Sequence, residues 1–167
     1  MTMLTWRPMR VADLAAVEAI AAEVHPGFPE SAAVPAERLA LCPRGCLVLA
    51  ADAGVVGYSV SHPWLAGAAP KLDSLLGALP AVPGCWYWHD LALLPAGRGR
   101  GAAAAAVGLM LGLARGAGLG HVALVAVGGS AGFWRRMGFV AAAGPDVASY
   151  GAGAAYLVRR LGDASAQ

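Results

Sequence analysis

With 167 residues, 58% of them hydrophobic and only 13% charged, the chain suits one packed core and is too short for two. That composition argues against disorder, and no run of ~20 bulky apolar residues is present to span a bilayer. The net charge of +2 implies no particular partner, but the distribution of charge is uneven. No acidic residue falls between Asp90 and Asp146, while Arg98, Arg100, Arg115, Arg135 and Arg136 all do. That half of the chain is prepared for an anion. A single lysine, Lys71, and the lack of a basic run exclude the pattern that tracks nucleic acid.

In chain order, "LTWRPMR" reads as a first strand, and Asp13 is placed to N-cap a helix through "LAAVEAIAAEV". Prolines and a glycine make "HPGFPESAAVP" a loop, and "AERLAL" a short helix stopped at Cys42-Pro43. "GCLVLAA" and "VVGYSVSHPW" around "DAG" predict a hairpin. A segment bounded by Pro and Gly follows, with a short helix expected at "LDSLLGAL". "CWYWHDLALL" is the most strand-like run of the chain, and "GAAAAAVGLMLGLARGAG" is a helix ended by glycines. "HVALVAV" is a strand, "SAGFWRRMGF" a short helix and "AAYLVRRL" a last strand. The pattern is one mixed α/β domain over residues 1–162 with a frayed tail at 163–167. Cys42-x3-Cys46 is half of a metal-site spacing with no matching pair downstream, so the three cysteines are expected as buried free thiols and no metal is expected. With no signal-peptide apolar region in MTMLTWRPMR, the expected setting is cytoplasmic.

The junction "LALLPAGRGRGAAAAAV" carries the chemistry. Unpartnered N–H groups and a positive dipole end make a helix start an anion site, and glycines let a ligand approach the backbone. A Walker loop is rejected for want of Gly-Lys-Ser/Thr. A dinucleotide fingerprint at Gly99, Gly101 and Ala104 fails because "PAGR" intervenes and the next acid is Asp146. Arg98-Gly99-Arg100-Gly101-Ala102-Ala103 instead resembles the Arg/Gln-x-x-Gly-x-Gly/Ala loop of the GCN5-related N-acetyltransferases (GNAT), and "FWRRMGF" resembles that family's second signature. The likeness runs from "WRPMRVADL" to "YLVRRL". Within the superfamily, "WYWHDLALLPAGRGRG" and "FPESAAVPAERLALCP" are most similar to the arylalkylamine branch, whose strand before the loop carries two alternating histidines.

The resemblance implies a GNAT-type single domain, its central mixed, mostly antiparallel, twisted sheet flanked by helices. It implies acetyl-coenzyme A as acyl donor and a small-molecule amine as acceptor, acting as monomer or homodimer without nucleic acid or membrane. Backbone groups of Leu91, Ala92 and Leu93 would pair with the pantetheine arm, and N–H groups from Gly99 to Ala104 would hold the pyrophosphate, supplemented by Arg98 and Arg100. An amine at neutral pH needs a proton acceptor before it can attack, and histidine suits the task. His89 stands at the second histidine position of the branch and is the expected base, with Tyr87, on the same strand face by simple alternation, shaping the pocket. Asp90 then falls on the other face with Trp88, as a structural carboxylate. Trp134 stands where the family often has a tyrosine that protonates the leaving thiolate. An indole is too weak an acid for that, so Trp134 is expected to pack on the cofactor, with solvent or Tyr150 as the acid. Phe28, Trp64, Trp86 and Trp88 are candidates for an apolar acceptor pocket. Two rival expectations stand: a non-catalytic acyl-coenzyme A sensor, and an acetyltransferase for a protein amino terminus or an antibiotic amine.

Overall fold

The computed structural model describes residues 2–162. Its strands are β1 (Thr5–Pro8), β2 (Cys46–Ala51), β3 (Gly54–Trp64), β4 (Cys85–Leu93), β5 (His121–Ala126), β6 (Val140–Ala141) and β7 (Ala155–Arg160). Its helices are α1 (Leu14–Val24), α2 (Ala33–Leu41), α3 (Ala102–Gly116) and α4 (Ala131–Arg136). The seven strands form one sheet in the order β1-β2-β3-β4-β5-β7-β6, antiparallel throughout except where β4 runs parallel to β5. The tail at 163–167 lies outside the described residues.

Each face of the sheet has its own apolar cover. Trp86 and Trp88 of β4 pack with Val122 and Leu124 against Ala106, Val107 and Met110 of α3. On the other face, Tyr58 and Val60 of β3 pack with Val17 and Ile20 of α1 and Leu39 of α2. Tyr87 lies in a third cluster with Ala123, Tyr156 and Val158. All three cysteines are buried and free, and burial pushes the Cys46 thiol up to about 12 and the Cys85 thiol up to about 11.

Two expectations change, and one short strand is added. Asp13 does not cap α1: its carboxylate takes a forked pair of bonds from Arg7 at 2.8 and 2.9 Å and a third from the Arg10 N–H at 2.8 Å. "LDSLLGAL" forms turns, not a helix, because acidic side chains elsewhere satisfy its N–H groups: Glu37 accepts from Leu76 and Gly77, and Glu30 from Asp73. β6 pairs with β7 through only two residues, too short a run to signal itself.

One feature of the sheet positions everything else. β4 and β5 pair only at Trp86–Val122 and Tyr87–Ala123, and beyond these the parallel strands have no paired residues between them. The carboxyl-terminal half of β4 therefore keeps one edge without a strand partner. The loop between α1 and α2 bridges this opening: His25 reaches the carbonyl of Leu91 on β4, and the ring of Phe28 lies beside Gly128, just past β5.

Candidate active site

The opening between β4 and β5 is continuous with a cleft of about 1130 Å³. One end is walled by Arg98, Gly99 and Gly101 through Ala104, and the other by His25, Glu30, His89, Asp90, Leu72 and Tyr150.

The first end is an anion cradle. Gly99 and Gly101 adopt φ of 75° and 79°, a region that L side chains avoid, and Gly101 serves as the N-cap of α3 with no side-chain cap bond. The first intrahelical bond runs from the Ala105 N–H to the Gly101 carbonyl, so the N–H groups before it face outward with the dipole behind them. A Cβ built on either glycine would meet nothing within 4 Å, so the space in front of them is open to a ligand. The Trp6 indole donates to the Ala102 carbonyl at 2.9 Å and fixes the helix start to β1.

The two arginines behave differently. Arg98 lines the cleft and its Nε donates to the Leu93 carbonyl at 2.9 Å. Arg100 lies outside the cleft lining and donates to the Thr2 carbonyl. The β4 backbone divides likewise. The carbonyls of Leu91 and Leu93 accept from His25 and Arg98 and so point to the open edge. By alternation the Ala92 groups point to β3, where a Cβ on Gly57 would come within 2.8 Å of the Ala92 oxygen. The Ala92 backbone and the Arg100 side chain are therefore not placed to hold a ligand in the cleft.

At the other end, strand alternation breaks. Val60 of β3 pairs with Asp90 while the adjacent Ser61 pairs with Trp88, which leaves His89 as the extra residue of a β-bulge. The bulge corrects the expected faces. Trp88 stays on the α3 face against Trp134, but Asp90 is turned to the α1 face, where it accepts from the Tyr58 hydroxyl at 2.5 Å. His25, at the carboxyl end of α1, places Nε2 3.0 Å from Asp90 Oδ1 and 3.2 Å from the Leu91 carbonyl. Burial opposes the charge on both partners, yet their hydrogen bond prevails: His25 is raised above its ordinary value and Asp90 is held below its own.

His89 forms a second acid–imidazole pair, with Nε2 2.8 Å from Glu30 Oε1. Only 4% of its side chain is exposed, and its Nδ1 is buried without a partner among the described residues. Tyr87 does not line the cleft; it is 1% exposed and lies near Tyr150, which does. Tyr150 does line the cleft, but its hydroxyl donates to the Pro70 carbonyl at 2.9 Å, and burial pushes the phenol up to about 12. Trp134 also lines the cleft and packs edge-on against Trp88 and Phe133 at 4.9 Å and Phe139 at 5.4 Å. Of the expected apolar group, Phe28 and Trp88 line the cleft and Trp64 and Trp86 do not. His25 and Glu30 lie 66 and 59 positions from the β4 residues they bond, so no local spacing reveals them. The only signal is a His and a Glu flanking the two prolines of "HPGFPE". Among the described residues, no group of three or more His, Cys, Asp or Glu is placed to hold a metal.

The comparisons with known proteins bear on the family and the fold. A family model described as "Acetyltransferase (GNAT) family" matches residues 14–139. The chain belongs to the GNAT family. No curated protein matches the sequence of this GNAT chain. Among solved structures it is similar to the GphF GNAT-like decarboxylase in complex with isobutyryl-CoA, at TM-score 0.73 and 20% identity over 93% of this chain and 98% of that one. It is similar also to Ard1 from Thermoplasma volcanium, at TM-score 0.72 and 18% identity over 96% and 99% of the two chains. A GNAT acetyltransferase from Brucella melitensis in complex with acetyl-CoA matches at TM-score 0.60 and 22% identity over 96% and 89%. At these identities the likeness is one of fold.

Proposed function

We propose that this GNAT chain transfers an acetyl group from acetyl-coenzyme A to the amine of a small molecule. The observation that carries the reading is the two-ended cleft: an open anion cradle at the start of α3 and a carboxylate–imidazole end on β4 share one cavity. The cradle suits a pyrophosphate, and the unpaired edge of β4 offers the Leu91 and Leu93 backbone to an extended arm. Acetyl-coenzyme A supplies the activated thioester. The chain's own residues bind, orient and manage protons. Glu30 and Asp90 favour an ammonium ion at the far end, and holding both reactants in one cleft makes attack effectively unimolecular.

A small acceptor is supported by the wall at that end. Leu72 and Tyr150 line it, and the segment carrying Leu72 is bonded across the opening: Tyr150 donates to Pro70, and the Leu72 N–H donates to the Ser149 hydroxyl at 3.1 Å. A peptide acceptor needs a through-groove there. The alkyl or aryl character of the amine draws support from Phe28 and Trp88 beside the same end.

The test is thiol release from acetyl-coenzyme A across a panel of primary amines. Release that requires an amine supports transfer and separates it from the decarboxylation named for the GphF structure. Binding without release by any amine supports the sensor reading instead. Gly101→Val places a β-branched side chain at φ 79° in front of the outward N–H groups. The strain there is of order 1–3 kcal/mol, so donor affinity should fall by roughly five- to 150-fold by titration calorimetry. Unchanged affinity would remove the cradle from the reading.

A further inference from the structure

The two histidines at the acceptor end are not equivalent, and the difference follows from which nitrogen each leaves free. His25 Nε2 faces two oxygens that can only accept, a carboxylate at 3.0 Å and a backbone carbonyl at 3.2 Å. It must carry a hydrogen, and Nδ1 is then the basic nitrogen of the neutral ring. That Nδ1 has no protein partner among the described residues and is not fully buried, and His25 lines the cleft. For His89 the same reasoning gives the opposite result. Its Nε2 meets the Glu30 carboxylate at 2.8 Å and carries the hydrogen, so its basic nitrogen is Nδ1, which is buried without a partner among the described residues. A base whose lone pair faces the protein interior cannot reach an amine in the cleft.

We propose that His25, oriented by Asp90, is the proton acceptor of the acyl transfer, and that His89 is a positioning residue that holds Glu30. This rests on the acetyltransferase reading above. His25 comes from the helix α1 junction, not from the strand where the histidine resemblance placed the base. Asp90 acts as the orienting carboxylate: Oδ1 takes the imidazole N–H, and Oδ2 takes the Tyr58 hydroxyl at 2.5 Å, which fixes the carboxylate plane. In the reaction, the ammonium ion gives a proton to His25 Nδ1, and the freed lone pair attacks the thioester carbon. The new C–N bond forms as the C–S bond breaks. The nitrogen loses two protons in all: one ends on the departing sulfur, and the other leaves from His25 to solvent.

The charged and titratable groups facing His25 are Asp90 and the Leu91 carbonyl of β4 and Glu30 of its own loop, with Tyr58 of β3 and His89 of β4 behind Asp90 and Glu30. All the formal charges among them that contact the ring are negative, so His25 loses its proton above its ordinary range, in keeping with the raised value. The rate should therefore rise with pH as His25 deprotonates.

The experiment combines imidazole nitrogen NMR on the whole protein with pH profiles of amine-dependent thiol release. The spectra should show His25 protonated at Nε2 when neutral, titrating at a pH that falls in Asp90→Asn and shifts less in Tyr58→Phe. His25→Gln should lower kcat/KM by about 10²-fold or more and abolish the rising limb, the scale expected for a lost general base. In Tyr58→Phe, which keeps the packing, the limb should move slightly to higher pH, because Asp90 loses a donor that tempers its negative charge toward His25. His89→Gln should keep the limb and raise KM for the amine. A neutral His25 protonated at Nδ1, or a titration indifferent to Asp90→Asn, overturns the assignment whether or not any amine is a substrate. Retention of the limb in His25→Gln, with its loss in His89→Gln, returns the role to His89. A protein with the expected His25 spectra that releases no thiol with any amine instead fails the acetyltransferase reading.

Discussion

Asp13 is 8% exposed and bonded from three donors, two of them on one guanidinium, so its charge is almost fully matched where it sits. The hydrogen bond from Arg7 is the main reason its carboxyl is held below the ordinary range. Asp13→Ala should cost about 2 kcal/mol in urea unfolding at pH 7, within the range for bonds to a charged group. A lowered carboxyl contributes stability above its unfolded value, near ~3.9, and loses it as the pH falls through the folded value. The difference between parent and variant should therefore be constant at neutral pH and shrink below about pH 4. A gap that persists at pH 2 would assign the effect to packing. Trp134 poses a separate question at this scale. Its ring is clamped edge-on by three aromatic neighbours, so Trp134→Phe should lose about 1–2 kcal/mol through the cavity left behind while turnover stays within a few-fold. Trp134→Tyr should raise turnover only if protonation of the thiolate limits the rate. Steady-state kinetics beside thermal unfolding separate these effects.

Among the elements, the turn into β2 shows how one glycine fixes the meeting of two segments. Gly45 lies so close to β3 that a Cβ there would fall 2.0 Å from the Ser61 carbonyl oxygen and 2.8 Å from its carbon. Both atoms are backbone in the middle of a buried strand, so neither can swing aside. The Ser61 hydroxyl also donates to the Gly45 carbonyl at 2.8 Å, locking the same contact. Gly45→Ala should destabilise by about 3 kcal/mol, the upper part of the range for overpacking, and shift the β2–β3 register seen in amide exchange. Ser61→Ala tests the bond alone and should cost only about 1 kcal/mol. The β4 bulge is the element-level feature with functional weight. Without it Asp90 would remain on the Trp88 face, away from His25.

At the scale of the molecule, the acceptor wall depends on α2 being fastened to the long β3–β4 connection. Glu37 accepts from the N–H groups of Leu76 and Gly77 at 2.7 and 2.9 Å and from Arg38 at 2.9 Å. Arg38 is fully buried, and among the described residues its Nε and Nη2 are unpartnered and Glu37 is the only carboxylate within salt-bridge distance of it. Glu37→Ala should cost about 3–5 kcal/mol, because it leaves a buried charge uncompensated. Glu37→Ala with Arg38→Met should recover a large part of that loss, since an apolar replacement removes the stranded charge. In the double variant the segment from Pro70 to Gly77 should still be cut faster in limited proteolysis, since its N–H groups have lost their acceptor. Equal protection in parent and double variant would show that packing, not Glu37, holds the wall.

Much of the framework was legible from local pattern. Apolar spacing at three and four marks α1, the run Cys85–Leu93 marks β4, and the Gly-Arg-Gly junction marks the start of α3, because each signal lies within one element. The candidate anion cradle needs only glycines and a helix start, both properties of neighbouring residues, so it can be proposed at Gly99 to Ala104 from sequence. The proton-handling end could not. It is assembled from α1, its following loop, β3 and β4, and its key bonds join residues 32 to 66 positions apart. A one-residue bulge, set by how β4 pairs with β3, turns Asp90 onto the His25 face and breaks the alternation that would place it beside Trp88. Which nitrogen of a histidine is free is decided by the acceptor it meets across the fold, and that acceptor exists only once the sheet has formed.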